Sequence, residues 1–391
     1  MDNGAPSLLA PPSPGMRRWT SARWPGLDEL QAQRQALRVV EVVDGRRWNA
    51  LVLQQPDFEL EQGWGWGEVQ REAGWVPHRY AVFRGAACVG TLSVSRRRIP
   101  ATPYSILYGS RGPLVAWDDD AACRMLVGAV RDLARRSRAV FLRVSPNPRH
   151  DRRPRAHEVL ERLQFEDVAD EWTTWNAPRV TMSMNIGDDE EVLFRGLRRR
   201  IRQNIASGPR RGLRVRTSDD RGDLAAFQRL LVTMGREKKY PVRGRSRLEA
   251  LWDAFVAPGD GVVVLVEYAG ALVAGLLGAR LGSRASLQCA AVARARENLP
   301  HGPLAYWAFI QWAKARGCAS IDFGGSATHF PPRETDPGYG VYQFKAGFGS
   351  ELRCSMPYHD FIFHPRLYRF VRAAERRVLP RAWRVRGWLN H

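Results

Sequence analysis

The chain has 391 residues, 44% of them hydrophobic, enough to bury a large core and more than one domain usually holds, so two lobes are expected. A formal charge of +20 implies a strong positive field that favours polyanionic partners: nucleic acid, nucleotide-linked substrates or an anionic membrane surface. Five cysteines, odd in number, far apart and never in a C-x-x-C pair, indicate neither a disulfide framework nor a zinc site.

Residues 1–36 carry proline, glycine and charge without sustained periodicity and read as a flexible leader. Met1 to Pro14 is interrupted by prolines and holds no apolar run of signal-peptide type, so a cytoplasmic protein is expected. The best membrane candidate, Val262 to Leu281, contains Glu267 and Arg280 and breaks at Tyr268-Ala269-Gly270, which suits a β-hairpin better than a spanning helix.

After a first strand at Leu37 to Val43, one series of elements occurs twice, about 180 residues apart. The first copy has a hairpin (Tyr80 to Phe83, a turn at Arg84-Gly85, then Ala87 to Ser95) and a strand at Ser105 to Tyr108. A helix follows at Ala121 to Ser137, capped from Asp118 to Asp120, and then a strand at Ala139 to Val144. In the second copy the hairpin is Val262 to Glu267 and Leu272 to Leu281, the next strand Ala285 to Ala291, the helix starts near Pro303 and the last strand is Ser320 to Phe323. Each series ends in a β–α–β unit, so the fold class is α/β: two tandem lobes, each a mixed twisted sheet flanked by helices. The expected divisions are 1–36, 37–180, 181–356 and a C-terminal segment, 357–391. Between the copies lie a helix from Glu190 to Ala206 and another around Asp223 to Gly235.

The densest basic run holds Arg198, Arg199, Arg200 and Arg202, followed by Arg210, Arg211, Arg214 and Arg216; it could follow a phosphate backbone or be a solvated helix face. Arginine is weak evidence in this chain, which has 56 of them against four lysines, Lys238, Lys239, Lys314 and Lys345. The eight histidines show no H-x-x-x-H spacing, so no metal is expected, and no G-x-S-x-G elbow supports an esterase-like nucleophile. What remains is Ile321 to Gly349: a strand ends in Asp322-Phe323-Gly324-Gly325, a proline-rich loop follows, and GYGVYQFKAGFG closes the stretch. Its glycines allow close backbone approach to a ligand beside a cation, and Lys345 there could stabilise an oxyanion during acyl transfer; the alternative is a surface lysine beside a strand.

The hairpin–strand–helix order is similar to that of GNAT acetyltransferases. Those hold the CoA pyrophosphate on a glycine-rich turn, whereas the corresponding turn here, Glu297 to Pro303 (ENLPHGP), lacks the glycine spacing. More specifically, IDFGG (Ile321 to Gly325), GVYQFKAGFG (Gly340 to Gly349), WGWGEVQREAGW (Trp64 to Trp75), Gly112-Pro113 and FLRVSP (Phe141 to Pro146) resemble the Fem family of aminoacyl-tRNA-dependent aminoacyltransferases. The resemblance runs from about Leu51 to Phe363. It implies two GNAT-like lobes, with the segment after about Pro357 returning to the first. It implies aminoacyl-tRNA as donor, no metal or organic cofactor, and an amine acceptor, most often a peptidoglycan precursor. By the same carry-over Lys345 stabilises the tetrahedral oxyanion, and Tyr342 and Phe344 of the same motif line the substrate site.

Acceptor recognition departs from the family pattern. A lysine position falls on Gln70, with Arg71 beside it, and a carboxylate position falls on Ser145. Arg243 keeps a phosphate-binding arginine, while a tyrosine position becomes Arg247. The acceptor could therefore be a peptidoglycan precursor or an amine-bearing secondary metabolite, and a GNAT-like acyl-CoA transfer stands as a further alternative. No charged helical-hairpin arm is expected in the second lobe, so tRNA binding would fall to Arg198, Arg199, Arg200 and Arg202. Contact with a membrane surface is compatible with the charge, an integral segment is not expected, and the amino acid transferred is open.

Overall fold

The structure is a computed structural model that describes residues 36–168, 178–238, 242–294, 299–326, 329–336 and 338–385. The leader up to residue 35 and Glu297 and Asn298 of the ENLPHGP turn lie outside the described residues. In chain order the first lobe runs β1 (Leu37–Glu41), α1 (Gly45–Leu53), α2 (Trp64–Arg71), β2 (Val76–Arg84), β3 (Ala87–Arg98), β4 (Ser105–Gly109), β5 (Leu114–Val115), α3 (Asp120–Ser137), β6 (Ala139–Val144), α4 (Arg153–Arg162) and β7 (Glu166–Val168). The chain continues with β8 (Val180–Asn185), α5 (Glu190–Gly196), α6 (Arg199–Ser207), β9 (Arg214–Ser218), α7 (Asp223–Lys238), α8 (Arg245–Leu251), β10 (Gly261–Tyr268), β11 (Ala271–Leu281), β12 (Arg284–Val292), α9 (His301–Ala315), β13 (Ser320–Gly325) and α10 (Tyr339–Ala346). It ends in β14 (Glu351–Cys354), β15 (Tyr358–Ile362) and α11 (Pro365–Val385).

Two sheets result. The first has the order β1-β2-β3-β4-β6-β15-β7, with β5 on β3; the second has the order β14-β8-β13-β12-β11-β10-β9. The duplicated α/β module is therefore real, because each sheet opens on a hairpin and holds a parallel pair joined by a crossover helix. The pairs are β4 with β6 around α3 and β12 with β13 around α9. Local chemistry sets the boundaries: Asp119 caps α3 by accepting from Ala122 N at 3.0 Å, and Ala269 and Gly270 take positive φ to close the β10–β11 hairpin. That hairpin occupies Val262 to Leu281, and among the described residues no helix is long and apolar enough to cross a membrane.

The two parallel pairs differ in one respect that positions the site. β4 and β6 stay paired from Ser105 and Ala139 to Gly109 and Val144, whereas β12 and β13 pair only from Arg284 and Ser320 to Ser286 and Asp322. Beyond that point the strands part, and β12 from Ser286 to Ala290 is only half-buried although it lies in the middle of its sheet.

A shared apolar core joins the lobes: Trp48, Leu51, Trp66 and Val69 of the first pack with Phe227, Leu248, Leu251 and Phe255 of the second. β15 pairs antiparallel with β6, returning the chain to the first sheet, where Asp360 takes a bidentate pair from buried Arg143 at 2.7 and 2.6 Å. The expected helix from Glu190 to Ala206 is instead two, α5 and α6, broken at Leu197 and Arg198. The cause is tertiary: Arg198 N–H donates to Gly347 O at 2.9 Å, a bond that a continuous helix would spend on its own carbonyl. No long charged helical hairpin is inserted among the described residues of the second lobe.

Candidate active site

Where β12 and β13 part, the chain turns sharply. Asp322 Oδ1 accepts from Gly324 N at 2.6 Å, its other oxygen accepts from Thr181 Oγ1 at 3.0 Å, and Gly324 sits at φ +75, a conformation that side chains disfavour. The turn aims two successive carbonyls at one cation: Lys345 Nζ donates to Gly325 O at 2.7 Å and to Gly324 O at 3.2 Å.

Lys345 belongs to the last turn of α10, which aromatic contacts hold in place. Phe344 meets Tyr306 edge-on at 4.9 Å, and Phe348 packs on Tyr306 and Phe323. The lysine is 4% exposed, so it is no surface residue, and burial lowers its pKa to about 8 despite the opposing charge of Asp322. An ammonium has three N–H donors. Two are taken by the glycine carbonyls, which fixes the third in space, the arrangement an oxyanion requires.

Facing this point are the carboxyl ends of the other parallel pair, the usual place for ligands in α/β sheets. Arg111 follows β4; its backbone N–H donates to Ser145 Oγ at 3.0 Å, and its guanidinium donates to Ser355 Oγ and, at 2.9 Å, to Pro178 O. Ser145, at the end of β6, is thus buried and spent on orienting this turn. Arg111 also feels the charges of Glu61, Glu59 and Asp322, so charged groups from both lobes converge here. Glu61 is held by its neighbour Gln62, whose amide donates to Ser110 O at 2.6 Å and accepts from Ser93 N at 2.8 Å. Burial lifts the Glu61 carboxyl to about 7 against the pull of Arg111. Asp322 falls within the IDFGG motif, whereas Arg111 and Glu61 were not singled out by the sequence; the Gly112-Pro113 turn beside Arg111 was the available signal.

The remaining sequence candidates fall into three places. Gln70 and Arg247 meet each other: Arg247 Nη1 donates to Gln70 Oε1 and to Val69 O, both at 2.9 Å, and its guanidinium lies over Trp66 at 5.1 Å. Burial, with the charge of half-buried Arg243, lowers Arg247 to about 9. Cys289 of β12 also feels both arginines, and it lies two residues along the strand from Leu287, which borders Gly324. One β12 edge, about 7 Å for two residues, therefore links this cation pair to the lysine. Arg71 is placed on the exposed side of α2, paired with Glu68 at 2.6 Å. Half-buried Tyr342 packs on the core of the second lobe and meets Tyr339 at 5.7 Å, one turn before Lys345.

Arg198, Arg199 and Arg200 are exposed at the start of α6, directly against the lysine segment, because Ile201 packs on Gly347. Arg202 folds back onto the carbonyls of Arg195 and Leu197, and Arg216 is clamped by Asp223 and Glu267. The outward cationic ridge is thus shorter than the basic run in the sequence.

The paired sheets, each with one parallel crossover, define a tandem GNAT-like protein, and the acetyltransferase (GNAT) domain family matches residues 195–331. Within that class the chain is a homologue of the Fem-type transferases. It is 26% identical over 231 residues to the lipid II:glycine glycyltransferase of Staphylococcus aureus, covering 58% of this chain and 54% of that protein, so it spans about half the length of the curated relatives it matches. A crystal structure of FemX superposes with a TM-score of 0.78 at 21% identity, over 85% of this chain and 99% of that one. A tandem GNAT protein from the clavulanic acid biosynthesis pathway gives 0.53 at 13%, over 84% and 98%.

Proposed function

We propose that this protein is an aminoacyltransferase that moves an amino acid from aminoacyl-tRNA onto an amine of a peptidoglycan precursor. The observation that carries the reading is Lys345: a buried ammonium with two N–H groups fixed by glycine carbonyls and a third left to donate, at the point where the parallel strands separate. The acceptor amine attacks the ester carbonyl, a C–N bond forms, the oxyanion takes the third Lys345 N–H, and the C–O bond to the 3′ ribose breaks. Glu61, with an acidity near neutral, accepts the proton lost by the attacking amine and returns it to the departing ribose oxygen. The Arg198 to Arg200 ridge beside this segment is placed to hold donor phosphates, and no metal or organic cofactor is required. The resemblance to lipid II:glycine glycyltransferases supports the cell-wall acceptor.

At the start of α9, where a GNAT enzyme would dock a pyrophosphate, His301 and Gly302 are buried, and His301 Nε2 lies 3.0 Å from Ala293 O. This favours tRNA over acyl-CoA as donor. The test incubates the full chain with charged tRNA and, separately, muramyl-peptide and small-amine acceptors, reading products by mass spectrometry. The expected result is amide product on the muramyl peptide that ribonuclease abolishes. Activity that survives ribonuclease and needs acyl-CoA overturns the donor, and transfer to the small amine alone overturns the acceptor.

A further inference from the structure

At the β7 edge of the first sheet, three segments bring together side chains that the sequence keeps apart. His157 projects from α4, Asp167 from β7 and His359 from β15, the two histidines 202 positions apart in the chain. The three facing atoms form a closed triangle. His157 Nδ1 lies 3.4 Å from His359 Nε2, His359 Nε2 lies 2.9 Å from Asp167 Oδ1, and His157 Nδ1 lies 3.7 Å from the same oxygen.

Hydrogen bonding accounts for the 2.9 Å side and, at its outer limit, for the 3.4 Å histidine pair, but not for the 3.7 Å side, since such bonds between nitrogen and oxygen centre on about 2.9 Å and fade well before that distance. A shared ion accounts for all three. Ligand atoms about 2.0–2.1 Å from a tetrahedral ion stand about 3.3–3.4 Å apart, inside the observed range. From this triangle we infer that His157, Asp167 and His359 bind one divalent transition-metal ion of zinc type.

Two imidazoles and a carboxylate are the donor set such an ion takes, and the half-exposed sides of His157 and Asp167 leave the fourth position to water. Glu161 Oε1, 3.3 Å from His157 Nε2, holds the other ring nitrogen and so fixes which one faces the ion. Asp360, the neighbour of His359, is already engaged with Arg143 and stays outside the site. The ion ties the returning β15 to β7 and α4, a cross-link between the C-terminal segment and the first lobe.

The test uses tag-free full-length protein stripped with chelator and titrated with Co²⁺ and then Zn²⁺. The expected result is one equivalent bound, cobalt absorption bands of four-coordinate type, displacement by Zn²⁺ and a raised melting temperature. His157→Gln and Asp167→Asn, at half-exposed positions, should each weaken binding at least about tenfold while keeping the native circular dichroism. Absence of the cobalt bands and of retained zinc in the wild-type chain overturns the proposal whether or not a variant folds. Equal binding by wild type and both folded variants overturns it as well.

Discussion

Arg247 and Gln70 meet across the lobes in a buried contact, guanidinium Nη1 to amide Oε1 at 2.9 Å. Two of the three positions where the chain departs from the Fem pattern are thus partners in space: a cation that the pattern supplies at position 70 comes here from position 247 in the opposite lobe. Gln70→Lys would bring a second cation against a guanidinium already lowered to about 9, and should cost about 3 kcal/mol. The double variant Gln70→Lys with Arg247→Gln should recover at least half of that loss. Urea unfolding of the two single variants and the double measures the coupling, and additive losses would contradict the pairing.

Lys345 makes a prediction about stability as well as rate. Its pKa is about 8 in the folded chain and 10.5 ordinarily, so the unfolded chain holds the proton between those values while the folded chain does not. Stability should therefore rise with pH across that window, and the charged lysine costs on the order of 3 kcal/mol at neutral pH. Lys345→Met removes that cost while orphaning two glycine carbonyls, which offsets about 1–3 kcal/mol of it. The variant should unfold no earlier than wild type at pH 7 and show a flat profile from pH 8 to 10, while transfer falls at least about 100-fold.

Glu61 supplies the opposite limb of the pH profile. As the proton acceptor it must be ionised, so the rate should climb as pH rises through about 7 and fall as Lys345 deprotonates through about 8. Glu61→Gln should lower kcat and abolish the acid limb while keeping the alkaline one. An unchanged acid limb would assign that proton to another group.

The elements were legible in the sequence because their signals are local. Turn residues at Arg84-Gly85 and Ala269-Gly270, the Asp119 cap and the alternating strands fixed the hairpins and the crossover helices in both lobes. What could not be read depends on partners far along the chain. The helix break at Arg198 exists because Gly347 accepts its N–H, and Arg247 is buried because Gln70 receives it 177 residues away. Lys345 was visible as a rare lysine among glycines, but its burial required Gly324 and Gly325 to turn their carbonyls inward. Arg111 carried no signal of its own in a chain so rich in arginine, and the His157–His359 approach crosses 202 residues.

The cationic ridge tests the donor independently of the chemistry. Arg198, Arg199 and Arg200 are exposed and contact no reacting group, so replacing all three with glutamine should act on donor binding alone. The expected outcome is a KM for aminoacyl-tRNA raised at least about tenfold with kcat nearly unchanged, and a shallower dependence of kcat/KM on salt, because each lost phosphate contact removes about one counterion from the slope. Arg202→Gln alone should behave differently, since its guanidinium serves the carbonyls of Arg195 and Leu197 at the end of α5. That variant should loosen the junction that seats Gly347, and so lower kcat with little effect on the salt slope. Steady-state kinetics at three salt concentrations distinguishes the two, and a salt slope unmoved by the triple variant would remove the ridge from donor recognition.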